Sequence, residues 1–448
     1  MPCRWGRVVA RAPQAGHRYI QSHPAGVLHE RPPETGLDRA VHINLARVPT
    51  PGAPTQRTST MLPQSEQAEF PMPQLAPEGQ LATQQIGDIR TEAGALIPDV
   101  TIAYHRWGEY EENADGSTNV VLIEHALTGD SNAADWWCDL VGPGKAIDTD
   151  LYCVICTNVL GGCNGSTGPS SQHPDGGFWG SRFPATDIRD QVKAEKQFLD
   201  AIGITRVKAV LGGSMGGART LEWAAMFPDV VDAAAVLAVS ARASAWQIGI
   251  QSAQIMAIEN DHHWHEGNYY ESGCNPSKGL GAARRIAHLT YRGELEIDER
   301  FGTQPQKGEN PLGPYRRPDQ RFAVESYLDH QADKLVKRFD AGSYVTLTDA
   351  LNRHDIGRGR GGLNKALESI TIPVMVAGVD TDILYPYHQQ EHLSRNLGNL
   401  LAMAKIVSPV GHDAFLTESR QMDRILRNFF SLISPDEDNP STYIEFFI

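Results

Sequence analysis

Val207-Lys-Ala-Val-Leu-Gly-Gly-Ser-Met-Gly-Gly217 joins a short apolar stretch to a helical pattern that continues through Leu221, Trp223 and Met226. Val207 to Leu211 has the length and composition of a buried strand. After it, Gly212-x-Ser214-x-Gly216 spaces two glycines around a serine. That spacing suits a sharp strand-to-helix turn, where the backbone passes too close for a Cβ and the serine Oγ is presented at the helix N-terminus. In a chain with 42 glycines the bare pattern is weak. Its position between a strand and a helix makes Ser214 a candidate nucleophile.

Outward from this turn, strand and helix patterns alternate. Upstream, Val100 to Tyr104, Val120 to Ile123 and Tyr152 to Thr157 read as strands, and Asp187 to Ile202 as a helix with Asp187 as its N-cap. Downstream, Ala233 to Val239, Ile372 to Ala377 and Ala402 to Val407 read as strands, and Arg420 to Ile433 as a closing helix. This rhythm predicts an α/β fold with a mostly parallel sheet and helices on both faces. It breaks between residues 244 and 367, where helical stretches replace strands (Ile248 to Ile258, Ala282 to Leu289, Phe322 to Phe339, Tyr344 to Arg353). Such an insertion reads as a lid over the C-terminal edge of the sheet, where open α/β sheets bind ligands. The core is then 72–243 with 368–448. Residues 1–71 hold eight arginines, no lysine, five acids and many prolines without periodicity, which predicts a disordered extension preceding a natural beginning near Met72.

A net charge of −14 argues against a nucleic-acid partner, and no apolar run has the ~18–20 residues of a membrane span. Cys153 and Cys156 have redox-motif spacing, but in the strand Leu151-Tyr-Cys-Val-Ile-Cys156 they point to opposite faces and read as packing. The six cysteines form no recognisable disulfide framework, so a reducing compartment, the cytoplasm, is expected.

A serine hydroxyl needs a base oriented by an acid. On this kind of sheet the acid and then the base follow later strands. Gly378-Val-Asp-Thr-Asp-Ile-Leu384 offers Asp380 and Asp382, between which spacing does not decide. Ser408-Pro-Val-Gly-His-Asp413 offers His412, alone among 16 histidines in standing between the last strand and the last helix. An acyl-transfer oxyanion needs two N–H donors. The Met215 amide at the helix start is one candidate, and Leu127, in His125-Ala-Leu-Thr-Gly129 after an early strand, is the other.

With these residues in place the chain closely resembles the homoserine O-acetyltransferases of methionine biosynthesis, the actinobacterial members above all. The resemblance runs from Met72 to Ile448. It rests on His125-Ala-Leu-Thr-Gly-Asp130, Asn158-Val-Leu-Gly-Gly-Cys-Asn-Gly-Ser-Thr-Gly-Pro169, Trp179-Gly-Ser-Arg-Phe-Pro184, the Ser214 motif and Gly411-His-Asp413. It implies an α/β-hydrolase fold and a ping-pong reaction in which Ser214, with His412 and Asp382, takes acetyl from the co-substrate acetyl-CoA and passes it to L-homoserine. It also implies no bound cofactor and a homodimer formed through the lid. By motif it assigns Arg284, in Ala282-Ala-Arg-Arg-Ile286, and Asp413 to substrate binding. A guanidinium and a carboxylate suit the two charged ends of a zwitterionic amino acid. Rival expectations on the same scaffold are succinyl-CoA as donor, serine as acceptor, or a lid-gated esterase. Asp261-His-His-Trp-His-Glu266 is rich in metal-capable side chains, but without a second ligand cluster it reads as a solvated loop and no metal is expected.

Overall fold

A computed structural model describes residues 75–315 and 317–434; the extension expected over 1–71 and the beginning near Met72 lie outside them. The strands are β1 (Ala82–Arg90), β2 (Leu96–Trp107), β3 (Val120–Glu124), β4 (Cys153–Thr157), β5 (Ala209–Gly213), β6 (Ala234–Leu237), β7 (Val374–Val379) and β8 (Leu400–Ile406). The helices are α1 (Ala133–Trp136), α2 (Ile188–Ala201), α3 (Met215–Met226), α4 (Ala245–Glu259), α5 (Ser277–Tyr291), α6 (Glu294–Phe301), α7 (Ala323–Val336), α8 (Ala341–Asn352), α9 (Leu363–Glu368), α10 (Tyr387–Asn396), α11 (Ala414–Thr417) and α12 (Ser419–Ile433).

The eight strands form one sheet in the order β1-β2-β4-β3-β5-β6-β7-β8, an α/β-hydrolase architecture. β2 runs antiparallel to both β1 and β4, and the strands from β4 through β8 are parallel. Period-2 alternation divides each central strand between two cores. Leu122, Ile155, Val210, Val236 and Val376 pack on one side with α2 and α3, whereas Ile123, Cys156, Leu211, Leu237 and Ala377 pack on the other with α12. Cys153 and Cys156 fall in different cores, and both thiols are free. They pack, as their strand register requires.

Local chemistry explains the element starts. Asp187 caps α2 by accepting from Asp190 N, while the Asp190 side chain accepts from Asp187 N; a cap of this kind contributes about 1 kcal/mol. α12 buries Met422, Ile425, Leu426, Phe429 and Phe430, one stripe at helical spacing. Between β6 and β7 the described chain runs through α4 to α9. Among the described residues no helix is long and apolar enough to cross a membrane.

Several elements depart from the expectation. β2 is longer than 100–104, and β1 is an edge strand whose exposed positions include Thr83, Gln85 and Asp88. α6 and α10 were not anticipated. α6 buries no residue, and α10 follows Pro386 with only Gln390, Leu393 and Ser394 buried, so neither has a strong apolar stripe.

Candidate active site

β5 ends at Gly213, and Ser214 follows in a strained conformation (φ 60°, ψ −122°) before α3 begins at Met215. A non-glycine residue with positive φ is held there by its surroundings. The Ser214 amide donates to Leu237 O at 3.0 Å, and the glycines let the turn cross β3. A Cβ on Gly216 would lie 2.0 Å from Glu124 O, and one on Gly212 2.6 Å from the same oxygen. In the parallel register Glu124 lies beside Gly212, so the loop leaving β3 stands next to the turn.

That loop contains Leu127. Neither the Leu127 nor the Met215 amide has a hydrogen-bond acceptor among the described residues. Its base is built on buried ions that sequence reading missed. Arg219 of α3 donates through Nη2 to His125 O at 2.7 Å, and its Nη1 pairs with Glu195 and lies 2.7 Å from Glu124 Oε2. The Trp223 indole donates to both glutamates. Burial above all pushes the Glu124 carboxyl well above the usual range, against the pull of Arg219. His125 accepts from Val159 N through Nε2 and therefore donates from Nδ1 to Ala126 O; burial, then Arg219, hold its pKa down to about 3, so it is neutral.

His412 donates from Nδ1 to Asp382 Oδ2 at 2.6 Å. The other carboxylate oxygen accepts from Leu384 N and Tyr385 N, both at 2.8 Å, which fixes the acid's orientation. Asp380 instead accepts from Ser408 N and ties the two loops together, so the ambiguity between the aspartates resolves to Asp382 as the imidazole's partner. Burial opposes a charge on His412, but the charge and hydrogen bond of Asp382, with Asp413 beside it, outweigh that and raise its pKa above the ordinary 6.5. With Nδ1 donating, Nε2 carries the lone pair; it is buried and has no partner among the described residues. Ser214 and His412 line the same cavity, of about 250 Å³, and make no direct hydrogen bond.

Arg284, Tyr291 and Asp413 line that cavity too. Arg284 is buried with its guanidinium 5.3 Å from the Tyr291 ring centre, and its Nε has no partner among the described residues. Its neighbour Arg285 pairs away from the cavity, with Asp329 of α7. Burial raises the Asp413 carboxyl above its ordinary value, countered by Arg284 and Arg292. Arg292 Nη1 stands 3.9 Å from Asp413 Oδ2. Asp261, His262 and His263 bring three potential metal-ligand atoms within 4.8 Å, and the Asp261 carboxylate accepts from His263 N and Gly279 N.

Residues 119–419 match the family profile of the α/β hydrolase fold. The chain is 86% identical over 377 residues to a homoserine O-acetyltransferase of Corynebacterium glutamicum, spanning 84% of this chain and 100% of that relative. The crystal structure of a homoserine O-acetyltransferase from Bacillus anthracis is similar at TM-score 0.70 and 26% identity, over 79% of this chain and 98% of that one. Esterase E22 is similar at TM-score 0.71 and 25% identity, over 79% and 100%. The chain belongs to the homoserine O-acetyltransferases, acyltransferases built on the α/β-hydrolase fold.

Proposed function

We propose that this enzyme moves acetyl from acetyl-CoA to the hydroxyl of L-homoserine in two half-reactions through an acetyl ester on Ser214. The observation that carries this reading is one cavity lined by Ser214, His412, Arg284 and Asp413. In the first half-reaction Ser214 Oγ attacks the thioester carbonyl while His412 Nε2 takes the serine proton. The oxyanion is held by the amides of Leu127 and Met215. Collapse breaks the C–S bond, and the His412 proton leaves with the CoA thiolate as a thiol. In the second, the homoserine hydroxyl gives its proton to His412 and attacks the acetyl carbon, the bond to Ser214 Oγ breaks, and that proton returns to the serine.

Arg284 holds the acceptor's α-carboxylate and Asp413 its α-ammonium, a pairing of fixed opposite charges that a hydrolytic water lacks. Asp382 keeps His412 in the tautomer the chemistry needs. No metal or bound cofactor has a part in these steps. Trp246, Ile248 and Met256 leave apolar surface exposed on α4 of the lid, which supports a homodimer through that face.

The test mixes acetyl-CoA or succinyl-CoA with homoserine or serine and follows CoA release, with intact-protein mass measured before the acceptor is added. Acetyl-CoA with homoserine should be fastest, and the acetyl increment should map to Ser214 and be absent in Ser214→Ala. A preference for succinyl-CoA or serine would overturn the substrate assignment. Fast p-nitrophenyl acetate hydrolysis indifferent to homoserine would favour an esterase.

A further inference from the structure

On the cavity wall beyond Ser214 stands a cluster that the two half-reactions leave unused. Lys334, on the last turn of α7, and Lys337 and Arg338, just after it, line the cavity together with Leu127 and Thr128 of the β3 loop. With Arg284 they give the lining four cations against two carboxylates, Asp130 and Asp413, in a chain whose net charge is −14. Such local reversal of charge concentrates anions at the opening. Both lysines are exposed, and neither ammonium forms an ion pair among the described residues. Arg338 differs: its Nη1 donates to Thr128 O at 2.7 Å, linking this segment to the loop that carries Leu127. A helix C-terminus favours cations by itself. That preference does not require them to open on the cavity of the nucleophile.

The donor proposed above has its reactive thioester at the end of a neutral pantetheine arm and its phosphates at the far end. We infer that Lys334 and Lys337 bind the phosphate groups of CoA, while the arm enters the cavity toward Ser214. This rests on the reading of the reaction given above. Arg338, held at Thr128, forms the ridge between the lysines and the oxyanion loop. A second cavity, of about 340 Å³, shares Lys337 and Arg338 with the first and is walled by Tyr269, Asn275 and Phe339. Lys337 thus borders both cavities, where a long donor crosses from one to the other, and Lys334 stands beside it on the first.

The experiment compares two donors that differ only in their phosphates and nucleotide: acetyl-CoA and S-acetylpantetheine. In the Lys334→Gln/Lys337→Gln double variant kcat/KM for acetyl-CoA should fall on the order of tenfold or more, with the loss in KM. The values for S-acetylpantetheine and the KM for homoserine should stay within twofold of the parent. Lys334→Arg/Lys337→Arg should retain most of the acetyl-CoA activity, and added salt should weaken acetyl-CoA in the parent more than in the Gln variant. An equal loss with both donors, or no loss with acetyl-CoA, would overturn the assignment. A parent that transfers acetyl from neither donor to homoserine overturns the reaction reading itself, and this assignment with it.

Discussion

Gly293, between α5 and α6, and Gly411, the residue before His412, approach so closely that a Cβ on Gly411 would lie 2.6 Å from the Gly293 nitrogen. Around this contact Gly293 N donates to Val410 O at 2.6 Å, and Asp413 N donates to Tyr291 O at 3.0 Å. The loop that presents His412 is therefore seated on the inserted helices as well as on β8. Gly411 also has φ +85°, where a side chain costs about 1–2 kcal/mol before any contact is counted. Gly411→Ala should lower stability by about 1–3 kcal/mol and turnover by tenfold or more. Gly293→Ala, whose Cβ would meet Pro409 O at 2.1 Å, should reproduce the loss of turnover although it lies far away in the chain. Denaturant titration and steady-state kinetics on both variants check this; a Gly293→Ala enzyme with parental turnover would show that the seat is dispensable.

The pH profile follows from the His412–Asp382 pair. The imidazole acts as a base only when neutral, and its pKa is raised, so protonation silences it from a higher pH than an ordinary histidine. Activity should rise with pH through a midpoint above 6.5. In Asp382→Asn the opposing effect of burial is no longer outweighed, so the midpoint of the residual activity should move down, and kcat should drop about 10⁴-fold as the tautomer is lost. A midpoint in the parent below 6.5 would contradict the assignment of His412 as the base.

Much of this site is legible from residue order because strand ends are legible. Val207 to Leu211, Ile372 to Ala377 and Ala402 to Val407 are apolar runs bounded by turns, and the three chemical groups follow them. What distance along the chain does not encode is which aspartate turns inward. Asp380 is exposed and accepts from Ser408 N, whereas Asp382 is buried, held by the amides of Leu384 and Tyr385, and faces His412. Arg219, Lys334 and Lys337 were illegible for a related reason. A charge on a helical pattern ordinarily reads as a solvated face, and only the packed neighbours show that Arg219 is buried between two glutamates while the lysines border a cavity. β1 escaped notice in part because an edge strand with polar outward positions lacks the hydrophobic contrast that marks a central one.

Arg284 offers a test that separates the two half-reactions. Its buried Nε has no partner among the described residues, and charge-assisted hydrogen bonds of the kind it can donate contribute about 1.5–3 kcal/mol. Arg284→Lys should therefore raise the KM for homoserine by roughly 10- to 150-fold, because a point charge cannot reproduce a planar two-donor grip. CoA release in the first turnover, before acceptor is needed, should remain near the parental rate. Rapid-mixing measurement of both phases checks it; a first phase slowed as much as the second would assign Arg284 to the donor instead.

Arg219 is the most demanding case, because it is fully buried between Glu124 and Glu195. Two carboxylates and one guanidinium balance only if one carboxyl keeps its proton, and burial raises Glu124 in that direction. Arg219→Leu strands the remaining carboxylate without a counter-charge and should cost about 3–5 kcal/mol of stability. Arg219→Lys retains the charge but has only one nitrogen where the guanidinium has two to serve the glutamates and His125 O. The lysine variant should fold, with a smaller loss of stability, and should lose turnover by about tenfold to a hundredfold as the Leu127 loop loosens. That loss should be shared by every acyl donor, p-nitrophenyl acetate included, since all of them use the same oxyanion site. A stably folded lysine variant with undiminished turnover would show that Arg219 balances charge in the core and does nothing to place Leu127.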